Sequence, residues 1–320
     1  MTNWRAASDS ATAERRAAML ERARRYFSKQ KVLAVDTPAL GQYPATDPNI
    51  ESLAVHANSG TRHFLHTSPE FCMKRLLADG YPDIYSICRV YRDGEAGRQH
   101  MPEFTMVEWY RLGFGLCAMI ADTTRFIATC LDEPELANHV EQYDYCDAFE
   151  KFAGIDVFGA SVDQLAYLCT GDERLKSEIG VDRSAWLDLM LSTIIAPQFA
   201  RDKLTVVRHY PASQAALARL CPDDERLADR FEVFIGALEL ANGYVELNDA
   251  IEQQRRFDRE IETRKRTGRS QYSSDQSLIS ALEAGLPDCA GVAVGVERLQ
   301  MAFDKTDDIR DVIAFSSDAS

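Results

Sequence analysis

The sequence has no uninterrupted apolar run approaching the ~20 residues a helix needs to cross a bilayer. Runs such as Leu187 to Ala196 carry an acid or a polar residue every few positions, so no membrane span is expected. No two of the eight cysteines (72, 88, 117, 130, 146, 169, 221, 289) are spaced as C-x-x-C, which removes a redox pair or a zinc ribbon. There is also no H-E-x-x-H, no G-x-S-x-G and no phosphate loop ending Gly-Lys-Ser/Thr, and the six histidines are scattered. Zinc-protease, serine-hydrolase and P-loop chemistry therefore have no foothold. A signal peptide is missing too: Arg15, Arg16, Arg22, Arg24 and Arg25 alternate with Asp9, Glu14 and Glu21, the pattern of an amphipathic helix and not of an organelle presequence. The expected setting is the cytoplasm, with the cysteines reduced and buried.

Positive charge is scarce as well. A formal charge of −14 would repel a long nucleic-acid backbone, so tRNA is not expected as a partner on charge alone. The one dense basic stretch, Arg255 to Arg269, is interleaved with acids at 252, 258, 260 and 262; it reads as a solvated helix face, with a protein-docking surface as the alternative.

No repeat or low-complexity linker divides the chain, so residues 1–320 read as one continuous domain. The pattern gives a helix over Thr12–Lys29, an extended run at 32–35, a strand near 64–66, a helix over 69–79 closed by Gly80, and strands at 84–91 and 103–112. A mainly helical middle (116–200, broken at Pro134, Gly154, Gly171 and Pro197) precedes strands at 204–209 and 231–247, then a small-residue strand, 291–295, entering a helix near Glu297. Strand groups separated by helices indicate an α+β fold.

Four segments carry chemistry. In the strand Glu103 to Arg111, alternation puts Phe104, Met106, Glu108 and Tyr110 on one side, either a wall for a flat base beside a cation or a half-buried strand with Glu108 at solvent. Arg92 sits where a strand runs into a loop, a position from which a guanidinium fork can hold a phosphate, although arginines at strand ends are common. Glu239 and Glu246 flank Asn242-Gly243 in an otherwise apolar run; acids so placed need magnesium or a substrate ammonium if buried, unless Asn-Gly is a surface turn. Arg298 lies in the first turn of the last helix, where a cation opposes the helix dipole and calls for an anion nearby.

In this order the segments resemble the three signature motifs of class II aminoacyl-tRNA synthetases: residues 22–40 motif 1, 84–112 motif 2, and 286–303 motif 3. HTSPEF (66–71) and ELANGYVEL (239–247) resemble the lysyl branch. Motif 1 falls too early to leave room for an anticodon-binding barrel, and PASQAALARL (211–220) and LPDCAGVAVG (286–295) are similar to the elongation factor P (R)-β-lysine ligase family.

That resemblance implies a mainly antiparallel sheet flanked by helices, a homodimer, and ATP with Mg2+ as co-substrate and metal. It implies lysine or β-lysine as the activated acid, and elongation factor P as the acceptor. Arg92 and Arg298 would act on the phosphates, and Phe104 would stack on adenine. Asp93, Gly94, Met101, Leu240 and Gly295 would complete the ATP site. Glu239 and Glu246 would hold metal, Glu246 also the substrate amine. Ser68, Pro69, Glu70, Glu108, Tyr110, Asn242 and Ala293 would line the amino-acid pocket. Gly94, Met101 and Glu297 depart from the family pattern; the first two weaken the expected adenine contacts, and the three together leave a regulatory paralogue as one alternative reading, beside a ligase with another acceptor.

Overall fold

The computed structural model describes residues 4–58 and 60–316; residues 1–3, Ser59 and 317–320 of the expected single domain lie outside the described residues. In chain order the elements are α1 (Ser10–Lys29), β1 (Leu33–Ala34), β2 (Leu40–Gly41), β3 (Ala54–His56), β4 (Arg62–Leu65), α2 (Glu70–Ala78), β5 (Ile84–Tyr91), β6 (Glu103–Leu112) and α3 (Leu116–Cys130). They continue with β7 (Val140–Asp144), α4 (Tyr145–Ala153), α5 (Val162–Cys169), α6 (Glu173–Ile179), α7 (Arg183–Met190), β8 (Leu204–Pro211), β9 (Leu220–Cys221) and β10 (Asp224–Ile235). The last are β11 (Leu238–Val245), α8 (Ala250–Arg266), α9 (Gln276–Gly285), β12 (Cys289–Gly295) and α10 (Val296–Asp304).

The main sheet runs β1-β5-β6-β12-β11-β10-β8-β7, with β9 added to β10. Only the edge pairs β1–β5 and β7–β8 are parallel, so the fold is α+β around a mostly antiparallel sheet, as the sequence indicates. A separate three-stranded sheet joins β2, β4 and β3.

Strand alternation gives this sheet two different faces. One carries Val107, Trp109, Val292, Val294, Ala241, Phe231 and Val233 into a core completed by α1 and α3. There α1 is capped by Asp9, which accepts the Thr12 N–H at 2.8 Å, and buries Met19, Ala23 and Phe27 at helical spacing; Phe27 stacks on Tyr85 with centroids 4.2 Å apart. On the opposite face, two helical clusters cover the ends: α4 and α7 over Val207, Tyr210 and Phe234, and α2, α8 and α9 around Ile84, Tyr110 and Cys289. The strip between them, over β6, β12 and β11, is left open.

Several local readings change. Residues 231–247 are not one strand but parts of the hairpin β10–β11, which turns at Gly236 (φ 54°). Asn242-Gly243 is mid-strand; a Cβ at Gly243 would meet the Gly291 carbonyl oxygen at 2.7 Å and the Phe231 ring at 2.8 Å, so close approach and not a turn requires the glycine. The helical middle contains β7, whose five residues pair with β8. Cys117 is exposed, whereas Cys130, Cys221 and Cys289 are buried.

The basic helix α8 is not simply a solvated face. Arg264 is fully buried and donates to the carbonyl oxygens of Ser270, Asp47 and Ile50 and to Glu51. Arg256 is buried on the carbonyls of Ala216 and Ala218. Both arginines fasten loops to the helix, which removes Arg264 from any docking surface.

Candidate active site

The open strip is a cavity of about 660 Å³ whose wall includes Ser68, Pro69, Glu70, Arg92, Met101, Phe104, Glu108, Tyr110, Glu239, Leu240, Asn242, Glu246, Ala293, Gly295 and Arg298. Asp93 and Gly94 are not on it. The Asp93 backbone bridges to Glu51, and Gly94 (φ 75°) turns the chain with open space around it.

At one end three acids meet. Glu108, in the middle of β6, is buried; its carboxylate accepts the Ser68 hydroxyl at 2.6 Å and the Tyr110 hydroxyl at 2.8 Å. Burial, and then the Glu70 charge, push its carboxyl up to about 7. Glu70, at the start of α2, accepts from Tyr244 at 2.9 Å and from Lys74 at 2.7 Å. Lys74 also reaches Glu246 at 2.5 Å, and the Lys74 and Glu246 side chains are 2% and 1% exposed. Burial, reinforced by Glu70 and Glu108, pushes the Glu246 carboxyl up to about 8 against the pull of Lys74. Burial disfavours the Lys74 ammonium, but Glu246 and Glu70 more than offset it and hold its pKa above the ordinary value. With three acids around one lysine, full ionisation leaves local charge near −2, and the cluster answers by retaining protons. An ammonium entering from solvent would take their place.

The other end is built for an anion. Arg92 lies over the Phe104 ring, 5.2 Å from its centroid, and contacts Glu95 at 3.4 Å. Arg298 extends from the first turn of α10 to the carbonyl of Glu239 at 3.0 Å and its carboxylate at 3.1 Å, which supplies the anion its position demands. Glu297, one of the departures from the family pattern, points elsewhere: it accepts Arg16 at 2.8 Å and the Thr105 N–H at 2.9 Å, tying α1, β6 and α10 together.

The resemblance gives both Glu239 and Glu246 to metal, with the substrate amine as the other role for Glu246. Seven strand residues at roughly 3.3 Å each span up to about 23 Å, so one ion cannot bind both, and Glu246 is committed to Lys74. An acid that feels the Glu239 charge is Glu232 of β10. The β10–β11 register slips past Leu240, because Val233 pairs with Ala241 but Phe234 with Glu239, and this bulge turns Glu239 onto the cavity face. Glu232 is buried, accepts Arg230 at 2.6 Å, and has its carboxyl raised to about 7 by burial and then by the Glu239 charge. Two oxygen-donor acids that repel one another suit a hard divalent cation.

Sequence reasoning missed Lys74, Glu232 and Tyr244, and read Gly291 only as part of a small-residue strand that lets a ligand approach. Lys74 had a signal, lying four residues after Glu70 on one helix face. Glu232 had a weaker one, an acid within the apolar run Phe231–Ile235. Gly291 is explained only by packing: a Cβ there would meet the Tyr110 ring at 2.5 Å and crowd Glu246 still more closely.

Comparison with known proteins matches residues 1–319 to the family described as tRNA synthetases class II (D, K and N). Several similar chains bear the name elongation factor P--(R)-beta-lysine ligase. The chain from Pseudoalteromonas translucida (strain TAC 125) is 40% identical over 98% of this chain and 97% of its own. Those from Mannheimia succiniciproducens and Haemophilus ducreyi are each 38% identical over 98% of this chain, and over 97% and 96% of their own lengths.

Proposed function

This chain belongs to the class II tRNA synthetases of the D, K and N group, and we propose that it is an ATP-dependent ligase that adenylates (R)-β-lysine, or lysine, and transfers it to a lysine side chain of elongation factor P. The observation that carries this reading is the polarity of one cavity, with Glu70, Glu108 and Glu246 short of positive charge at one end and Arg92 and Arg298 at the other. A diamino acid and a nucleotide triphosphate are complementary to those two ends.

In the first half-reaction the substrate carboxylate attacks the α-phosphorus; an acyl–phosphate bond forms and the bond to pyrophosphate breaks. Arg92 and Arg298 stabilise the charge that builds on the phosphate oxygens. Glu108 and Glu246 give up their protons and hold the substrate's side-chain ammonium, while Ser68 and Tyr110 keep Glu108 oriented. In the second half-reaction the acceptor amine attacks the acyl carbon, AMP leaves, and an amide results. No protein nucleophile is needed.

Mg2+ fits the donor set of Glu232 and Glu239, which would hold it; when bound it supplies charge neutralisation to the phosphates. Phe104 stacks on adenine, with Met101, Leu240 and Gly295 beside it. Ala293, where the lysyl branch has glycine, narrows the wall between β11 and β6 in favour of a β-amino acid. The working form is a cytoplasmic homodimer joined through the motif 1 segment; no helix among the described residues is long and apolar enough to cross a membrane.

The test is pyrophosphate exchange with lysine and with (R)-β-lysine, followed by mass measurement of unmodified elongation factor P after incubation with ATP and the preferred acid. Exchange and a gain of one lysyl unit are expected. Exchange with no gain in mass would move the acceptor elsewhere, and no exchange with either acid would leave a regulatory paralogue.

A further inference from the structure

We propose that His209, Cys221 and Asp229 form a binding site for one divalent transition-metal ion of the zinc type, which clamps β9 onto β8 and β10. The site goes beyond the ligase reading and does not depend on it. One nitrogen, one sulfur and one carboxylate oxygen from these residues lie within 4.8 Å of one another.

The backbone is bent to bring them together. Between the pairs Ala228–Tyr210 and Phe231–Arg208, two residues of β10, Asp229 and Arg230, face one residue of β8, His209. His209 adopts φ 57°, a left-handed conformation that a non-glycine residue inside a strand rarely takes. The short strand β9 then carries Cys221 across β10, and the Asp229 N–H bonds to the Arg219 carbonyl at 2.9 Å.

The surroundings orient each donor. His209 Nδ1 lies 2.9 Å from Asp144 Oδ1, which is also bonded by Arg208 at 2.7 Å, so Nδ1 carries the proton and Nε2 keeps the lone pair. A carboxylate behind a ligating imidazole is the usual support of a metal-binding histidine. Arg219 occupies Asp229 Oδ2 with bonds of 3.1 and 2.9 Å, leaving Oδ1 facing Cys221 Sγ at 3.4 Å. Cys221 and Asp229 are buried while His209 is partly exposed, which gives an ion a route in and the imidazole room to close on it.

On binding, the Cys221 thiol releases its proton to solvent and a sulfur–metal bond forms; Asp229 and His209 donate lone pairs, and water takes the fourth position. One thiolate and one carboxylate balance the 2+ charge. A mixed S, N and O set selects zinc over magnesium or calcium. The clamp would steady the segment bearing Ala216 and Leu217, which line the cavity.

The full-length chain, washed with chelator, would be titrated with Co2+ and followed by absorbance, then with Zn2+ and followed by thermal melting. One equivalent of Co2+ should produce a sulfur-to-cobalt charge-transfer band in the near ultraviolet, absent in Cys221→Ser and weakened in His209→Ala and Asp229→Asn. Cys117→Ser, removing the exposed thiol, should keep it, and Zn2+ should raise the melting temperature of the unsubstituted chain but not of Cys221→Ser. Folding of each variant is checked by circular dichroism. No band in the unsubstituted chain, a band that survives Cys221→Ser, or one lost in Cys117→Ser would overturn the proposal.

Discussion

Replacing Lys74 by methionine tests the electrostatics on which the amino-acid pocket rests. The lysine is buried and paired with Glu70 at 2.7 Å and Glu246 at 2.5 Å, so the substitution leaves Glu70, Glu108 and Glu246 with no fixed cation between them. Removing one partner of a buried pair destabilises by about 3–5 kcal/mol. Here the acids have an escape, since Glu246 and Glu108 already titrate near 8 and 7 in the folded chain, well above an unfolded value of 4.5. A raised carboxyl pKa means that the folded chain binds protons the unfolded chain has released, so the contribution of these groups to stability falls as pH climbs from about 4.5 towards 8. The loss in Lys74→Met should therefore sit near 3 kcal/mol at pH 6, where protons can substitute for the lysine, and grow by about 1 kcal/mol or more at pH 9. Urea unfolding at both pH values measures it, and Glu246→Gln in the same chain should restore most of the loss. A destabilisation below about 1 kcal/mol at both pH values, or no recovery in the double variant, would refute the view that Lys74 neutralises this cluster.

The same protons predict how substrate binds: the KM for the amino acid in pyrophosphate exchange should fall about tenfold between pH 6 and pH 8 as Glu108 and Glu246 ionise, and a flat profile would mean that they do not hold the ammonium. Gly291→Ala places a methyl against the Tyr110 ring and Glu246, so it should raise the KM for the amino acid about tenfold or more and leave the KM for ATP unchanged; equal effects on both would place the strain outside the pocket. Glu232→Gln should increase several-fold the Mg2+ concentration needed for half-maximal exchange, and an unchanged requirement would remove it from the metal site. Arg298→Ala should lower exchange by about 10²–10³-fold with little change in thermal stability, since its partners Gln99, His100 and Glu239 are at the cavity wall and not in the core; a loss of folding instead would make it structural.

The fold was legible where one physical signal dominated. Helical spacing of Leu20, Ala23 and Phe27 gives α1 from Thr12 onward, two residues short of its start at Ser10 behind the Asp9 cap, and alternation along 103–112 gives β6. The strand β7 was hidden because Val140–Asp144 carries only two strongly β-forming residues, Val140 and Tyr143; its pairing partner lies 64 residues further on, in β8. The turn between β10 and β11 went unread for a related reason, with a surface turn at Asn242-Gly243 offered only as an alternative. Asn-Gly is the stronger local turn signal, but the contact of Gly243 with Gly291 and Phe231 decides in favour of strand, and Gly236 takes the positive φ instead.

The site shows the same limit more sharply, because a single slipped residue decides which acids meet. Were β10 and β11 in perfect register, Glu239 would lie on the face opposite Asn242, in the core against α3, and no cation could reach it from the cavity. The bulge at Leu240 reverses that, setting Glu239 beside Glu232 and Arg298 while Tyr244 and Glu246 remain with Lys74. The two ends of the cavity thus share one strand and one face, but each has its own counter-charge: a guanidinium that can let go of Glu239 for phosphate, and an ammonium too well enclosed to leave. Only the first is exchangeable, so the amino-acid end is neutralised further by protons or by an incoming ammonium. An acid lacking a second amine would have to bind against Glu108 and Glu246 in their protonated forms, and should gain nothing when the pH is raised.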